Sequence, residues 1–213
     1  MADNKPNPLS NLSTFRLETL EDGVFAIAMT LLVLNLKVPA KLDNSLLKAI
    51  LQIWPDLITF FGSFILLGVF WFGHRAALHY VKHADHIFHW LELILLMFVS
   101  IVPFSASLIS KYYNEQAAII IYGTNLIAIG ITLTIQWYYA SNNYRLIDSQ
   151  VPKTVINFAK IRSIFAPVAY SIAVLLSFID LKISLILFTI IPVLYILPLF
   201  LPWWRWMAKI PFI

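Results

Sequence analysis

The residues able to do chemistry fall into three groups. The first opens the stretch RLETLEDGVFAIAMTLLVLNLKVP, residues 16–39, where Arg16, Glu18, Glu21 and Asp22 precede an almost unbroken apolar run with one hydroxyl, Thr30, in its middle. Ionisable groups at the edge of such a run either pair inside a helix bundle or serve an ion or proton path. For Asp22 both readings stay open, because its position also lets it touch water. The second group is all five histidines, His74, His79, His83, His86 and His89. On one helix, His79, His83 and His86 would share a face, and with Asp85 they suggest a zinc site or a proton sensor. The plainer reading, a polar turn at headgroup level, is the expectation here. The third is Glu92 in HWLELILL. It lies a few residues inside an apolar run and is expected to snorkel to the interface.

Several chemistries are excluded. The chain has no cysteine, which removes disulfides, thiolate metal sites and cysteine nucleophiles. An intramembrane enzyme needs a convergent polar constellation such as HExxH or paired aspartates at depth, and none is present. No catalytic residue, resident metal or cofactor is therefore expected.

The elements that must position these groups are membrane helices. The 213 residues are 60% hydrophobic and 12% charged, against about 25% charged in soluble domains, and the mean hydropathy is +0.80. Six continuous apolar spans are expected, at about 20–38, 55–73, 88–110, 117–139, 161–179 and 183–202. Each is near the roughly 20 residues that cross a hydrocarbon core as a helix. Their continuity argues against an alternating β-barrel. The fold expected is an all-α polytopic bundle forming a single domain over 1–213. Asp180 and Lys182 mark a very short turn between the last two spans. Pro103, Pro167, Pro192 and Pro198 lie inside spans, where proline is common.

Orientation follows from lysine and arginine. With six spans, one side holds Lys5, Arg16, Arg75, Lys82, Arg145, Lys153, Lys160, Arg162, Arg205 and Lys209, and the other Lys37, Lys41, Lys48, Lys111 and Lys182. Ten against five puts both termini in the cytoplasm and the chain in the cell membrane. The first 15 residues lack the apolar core of a cleaved signal peptide, so a retained, short N-terminus is expected. The net charge of +4 is assigned to basic loops near anionic lipid rather than to nucleic acid. The segment RLIDSQVPKTVINFAKIR, residues 145–162, is expected to be an amphipathic connector. Tryptophans at span ends form an interfacial belt.

On a helical wheel Gly23, Ile27, Leu31 and Leu34 share a stripe about 80° wide, continued by Leu20 and Val38, with Thr30 at its edge. Asp22, Phe25, Met29 and Leu36 fall on the far side. Aliphatic stripes are common in packed bundles, so the wheel separates two surfaces without assigning them roles.

The pattern Arg16-x-x-x-Leu20-Glu21-Asp22-x-x-Phe25-Ala26 resembles the signature RxxxFSDxxFA of the transmembrane protein 175 family, the bacterial relatives of the endolysosomal potassium channel. WFGHR, with Trp71 and His74, resembles that family's tryptophan–histidine pattern. Two positions depart from the signature: Leu20 stands for its phenylalanine and Glu21 for its serine. The resemblance implies a homotetrameric channel for K+ and other monovalent cations. It implies that the first helix lines the pore, with Ile27, Leu31 and Leu34 as the constriction and Thr30 as a hydroxyl ring linked to selectivity. Arg16, Asp22, Phe25, Trp71 and His74 would form the structural network behind it. The sequence has no TVGYG-like pore loop. The competing reading is a proton-coupled or other secondary transporter using Asp22 and His74, against which stands the lack of internal symmetry.

Overall fold

The computed structural model describes residues 14–38 and 46–196. Among these residues the chain forms seven α-helices: α1 (Thr14–Leu31), α2 (Leu46–Gln52), α3 (Trp54–Leu78), α4 (His86–Lys111), α5 (Gln116–Ser141), α6 (Lys153–Leu176) and α7 (Leu181–Ile196). A 3-10 turn, Leu32–Asn35, extends α1. There is no strand among them, and Val81 and Ile147 make one isolated antiparallel bridge. The all-helical expectation agrees with this architecture. Helices α3, α4, α5 and α6 are long and apolar enough to cross a membrane. Helix α7 is apolar but shorter, and α1 holds Arg16, Glu18, Glu21 and Asp22 within its 18 residues.

Several boundaries differ from the hydropathy reading. The first span was expected over 20–38. It is helical from Thr14, and α geometry ends at Leu31, because helices accept charges in an opening turn that a hydropathy window rejects. The fifth was expected from 161 but starts at Lys153, directly after Pro152 at φ −58°, an angle preorganised for a helix start. Basic residues hid this start. Lys160 reaches 4.7 Å over the Tyr138 ring and Arg162 lies 5.6 Å from the Tyr195 ring centre, so both use aromatic surface. The connector expected over 145–162 is thereby confined to the residues before α6. Lys5, Lys41, Arg205 and Lys209 of the orientation count, Pro198, and the last part of the sixth span lie outside the described residues.

Helix α5 is central and packs most extensively against α6 and α4. Tyr170 of α6 stacks on Phe188 of α7 at 5.7 Å, and Tyr122 of α5 meets Phe188 edge-on at 5.4 Å. Small residues permit this approach. A Cβ on Gly130 would lie 2.8 Å from Pro167 Cδ and 3.1 Å from Pro167 N. The short turn between α6 and α7 is present, with Asp180 Oδ1 accepting from the Lys182 backbone N–H at 2.7 Å.

The histidine stretch spans two helices and the loop between them. Helix α3 ends at Leu78 and α4 begins at His86, so His79, His83 and His86 share no helix face. Asp85 organises this turn. Its carboxylate accepts from the Phe88 N–H at 2.9 Å and caps α4. It also accepts from the Tyr139 hydroxyl and lies 3.8 Å from Arg145 Nε. His89 Nδ1 donates to the Asp85 carbonyl at 2.7 Å, and His86 Nε2 accepts from Trp90 at 2.9 Å.

Two outcomes follow from this packing. Gly130→Ala is expected to spread α5 and α6 and to destabilise by about 1–3 kcal/mol, read as a lower melting temperature in detergent; an unchanged value would refute the close approach. Removing the α4 cap with Asp85→Ala is expected to cost about 1 kcal/mol at neutral pH. Burial opposes the Asp85 charge, but the Tyr139 hydroxyl, the Phe88 N–H and Arg145 outweigh it and hold the carboxyl below its ordinary value. Such a contribution is present at neutral pH and is lost as the pH falls through the carboxylate range. Melting curves of wild type and variant should therefore converge on acidification, and a gap independent of pH would contradict this.

Candidate functional site

Helix α1 has two dissimilar faces. Leu17, Glu21, Phe25, Ala28 and Leu32 are buried against α3 and α4. Their spacing of four, four, three and four residues keeps them on one stripe. Opposite them, Leu20, Ile27, Leu31 and Leu34 are exposed, Ile27 at 60% and Leu34 at 70%. Gly23 and Thr30 are exposed too. The Thr30 hydroxyl donates within its own helix, to the Ala26 and Ile27 carbonyls at 3.0 and 2.9 Å. That leaves the oxygen's remaining acceptor capacity for the outside. Leu34 falls in the 3-10 turn, where side chains three apart eclipse, so it lines up behind Leu31 despite the change of helix type. Asn35 Nδ2 donates to the Pro103 carbonyl at 3.0 Å and ties this end of α1 to α4.

Two polar layers hold the buried side. In the outer layer Asp22 Oδ1 accepts from Trp71 Nε1 at 2.7 Å, and Arg75 Nη1 lies 3.0 and 3.2 Å from the two Asp22 oxygens. Arg75 also lies 5.7 Å from the Trp71 ring centre. Both members of the Asp22–Arg75 pair are nearly half exposed. The inner layer is Glu21, His74 and Glu92, all buried. His74 Nε2 donates toward Glu92, 3.0 and 3.3 Å from its two oxygens. Gln136 of α5 donates to Glu92 Oε2 at 3.0 Å. Side chains of α1, α3, α4 and α5 thus meet at one point. Beside it, between α3, α5 and α6, is a mostly apolar cavity of about 400 Å³ whose wall includes His74, Gln136 and Arg162.

The expected network residues are only partly brought together. Asp22 and Trp71 are hydrogen-bonded, and Phe25 is buried on the same face. Arg16 is exposed and has no described contact with Asp22; Arg75 is the arginine on that carboxylate, one turn of α3 beyond Trp71. His74 contacts Glu92 rather than Asp22, so Asp22 and His74 do not form one relay. Glu92 does not snorkel. It is 0% exposed, because α4 begins six residues earlier, about 9 Å along the axis, and Phe88, Glu92, Leu95 and Val99 share its buried face. Gln136 and Arg75 were not singled out from the sequence as site residues, and Glu21 and Glu92 were noted there without a shared role. The four-residue spacings Leu17–Glu21–Phe25 and Phe88–Glu92, each between buried apolar neighbours, were the signal available.

A family model described as endosomal/lysosomal potassium channel TMEM175 matches residues 16–103, the segment that carries both polar layers except Gln136. A potassium channel of Chamaesiphon minutus is 34% identical over 177 residues, 80% of this chain and 87% of that protein. A potassium channel of Streptomyces collinus is 30% identical over 175 residues, 80% of this chain and 85% of that protein. Among solved structures, the crystal structure of a lysosomal potassium-selective channel TMEM175 homolog from Chamaesiphon minutus matches with a TM-score of 0.77 at 30% identity, covering 85% of this chain and 95% of that one. With this likeness extending over most of both chains, the protein belongs to the TMEM175 family of membrane ion channels.

Proposed function

We propose that the chain is a potassium-permeable cation channel of the cell membrane, working as a homotetramer with α1 lining the pore. The observation that carries this reading is the division of α1: one face is bonded into the bundle, and the other leaves Ile27, Leu31 and Leu34 exposed. One such helix cannot enclose a pore. Four copies around an axis turn three exposed residues into three apolar rings and Thr30 into a ring of hydroxyls. The relatives named potassium channels support K+ as the permeant ion. In this reading all of 1–213 is one channel domain. Helices α1 and α7 join the four longer helices as the fifth and sixth crossings, and both termini are cytoplasmic.

The physics is that of a dewetting gate. A tight ring of isoleucine or leucine expels water, and an ion cannot shed its hydration shell there. Slight widening or rotation of α1 wets the neck. The hydroxyl ring then replaces part of the shell, with less discrimination than stacked carbonyl rings provide. No pore loop is needed for this scheme. Asp22, Trp71 and Arg75 act from behind by fixing how α1 is turned.

Purified protein in a planar bilayer should pass a K+ current that grows near-linearly with driving force, whereas saturating flux at carrier rates would overturn the channel reading. Ile27→Asn is expected to raise the current several-fold by hydrating the neck; an unchanged current would remove Ile27 from the constriction. Asp22→Ala deprives Trp71 and Arg75 of their acceptor and should cost about 1–2 kcal/mol. It should lower the tetramer fraction on size exclusion while the K+/Na+ reversal potential stays put. A shift in reversal potential with normal assembly would mean that Asp22 acts on the ion itself.

A further inference from the structure

The inner layer has the composition of a metal site. One carboxylate oxygen from each of Glu21 and Glu92 and a ring nitrogen of His74 all lie within 4.8 Å of one another. They come from three helices, and all three residues are buried, Glu21 at 1% exposure. Among the described residues Glu21 Oε1 has no hydrogen-bond partner, and neither does the buried Oε1 of Gln136. Two ionised carboxylates with a neutral imidazole would leave two negative charges in an apolar interior, which is strongly unfavourable. A divalent cation brings that sum to zero and gives the orphaned carboxylate oxygen a partner.

We propose that Glu21, His74 and Glu92 bind one divalent transition-metal ion of the Zn2+ class. The donor set of one nitrogen and two oxygens suits Zn2+ and its neighbours Co2+ and Fe2+. It offers too few oxygens for Ca2+, and Mg2+ favours oxygen ligands and retained waters. His74 Nε2 and the Glu92 oxygens, 3.0 and 3.3 Å apart, already have a separation near the tetrahedral edge of about 3.4 Å that bonds of 2.0–2.2 Å give. Glu21 completes the set by a side-chain rotation. Binding needs the neutral His74 tautomer that carries its one hydrogen on Nδ1, so the proton leaves Nε2 and the metal takes its place on that nitrogen. Gln136 steadies Glu92 through Oε2 and leaves Oε1 for the ion, the kind of outer support that metal ligands use. The cavity beside His74 gives an approach and room for water as a fourth ligand. A bound ion would clamp α1 to α3 and α4 on the side away from Ile27. The proposal stands on these side chains and is independent of whether α1 lines a pore.

The test uses the whole protein, purified in detergent, stripped with a chelator and titrated with Co2+ as a spectroscopic stand-in for Zn2+. One Co2+ per chain with visible d–d absorption, displaced by Zn2+, is the expected result. Glu21→Gln, close in shape to the native side chain, should weaken binding at least about tenfold. Glu21→Ser provides the same test if the glutamine variant folds poorly. A His83→Ala/His86→Ala variant should bind as tightly as wild type, because those histidines lie in the surface turn. Failure of folded wild-type protein to bind one ion would overturn the proposal. So would binding that survives both Glu21 substitutions, or binding lost with His83 and His86.

Discussion

The structure depends on a buried polar contact between helices that are otherwise apolar. His74 on α3 meets Glu92 on α4, with Glu21 of α1 on one side and Gln136 of α5 on the other. Apolar packing between membrane helices has little directional preference, since lipid is as apolar as leucine. A buried charged group does have one. Removing one partner of such a cluster leaves an uncompensated charge, at a cost of about 3–5 kcal/mol. The contact therefore works as a registry mark for α3, α4 and α5, and Glu21, buried within 4.8 Å of it, places α1 against the same mark.

The two faces of α1 follow from that mark. With Glu21 fixed inward, the helical period sends Leu17, Phe25, Ala28 and Leu32 inward and Leu20, Ile27, Thr30 and Leu31 outward. The Asp22–Trp71–Arg75 layer adds a second anchor on the same end, and the Asn35–Pro103 bond a third at the far end. Between the anchors, α1 is held by apolar contacts through Phe25, Ala28 and Leu32. Any movement that changes the exposed stripe must work against the polar layers or pivot about them. This links the inner chemistry to the outer surface without direct contact between them.

Much of this was legible beforehand. Composition established the membrane setting, and the wheel separated the outward stripe of α1 from the side carrying Phe25. The likeness to the family's signature rested on Arg16, Asp22, Phe25, Trp71 and His74, and the family is the one the relatives support. The inner layer was harder to read because its members lie far apart along the chain and nothing in their local sequence joins them. Glu21 reads as one of several charges at a helix mouth, and Glu92 as an edge residue, until the true starts of α1 and α4 are known. Those starts are hidden from hydropathy because membrane helices continue into charged turns, as α1, α3 and α6 all do. Arg75 was hidden for the same reason: it lies beyond the apolar window of the second span yet inside α3. The histidine spacing misled in the opposite direction, since i, i+4, i+7 has meaning only within one helix, and Asp85 starts a new one.

The central claim is that the exposed stripe of α1 faces other copies of the chain around a common axis. The chain has no cysteine, so disulfide cross-linking in native membranes tests it directly. With single cysteines introduced one at a time, the account predicts that Ile27→Cys forms cross-linked dimers on oxidation while Leu175→Cys, on an exposed part of α6, stays monomeric. Cross-linking at Leu175 with none at Ile27 would contradict it.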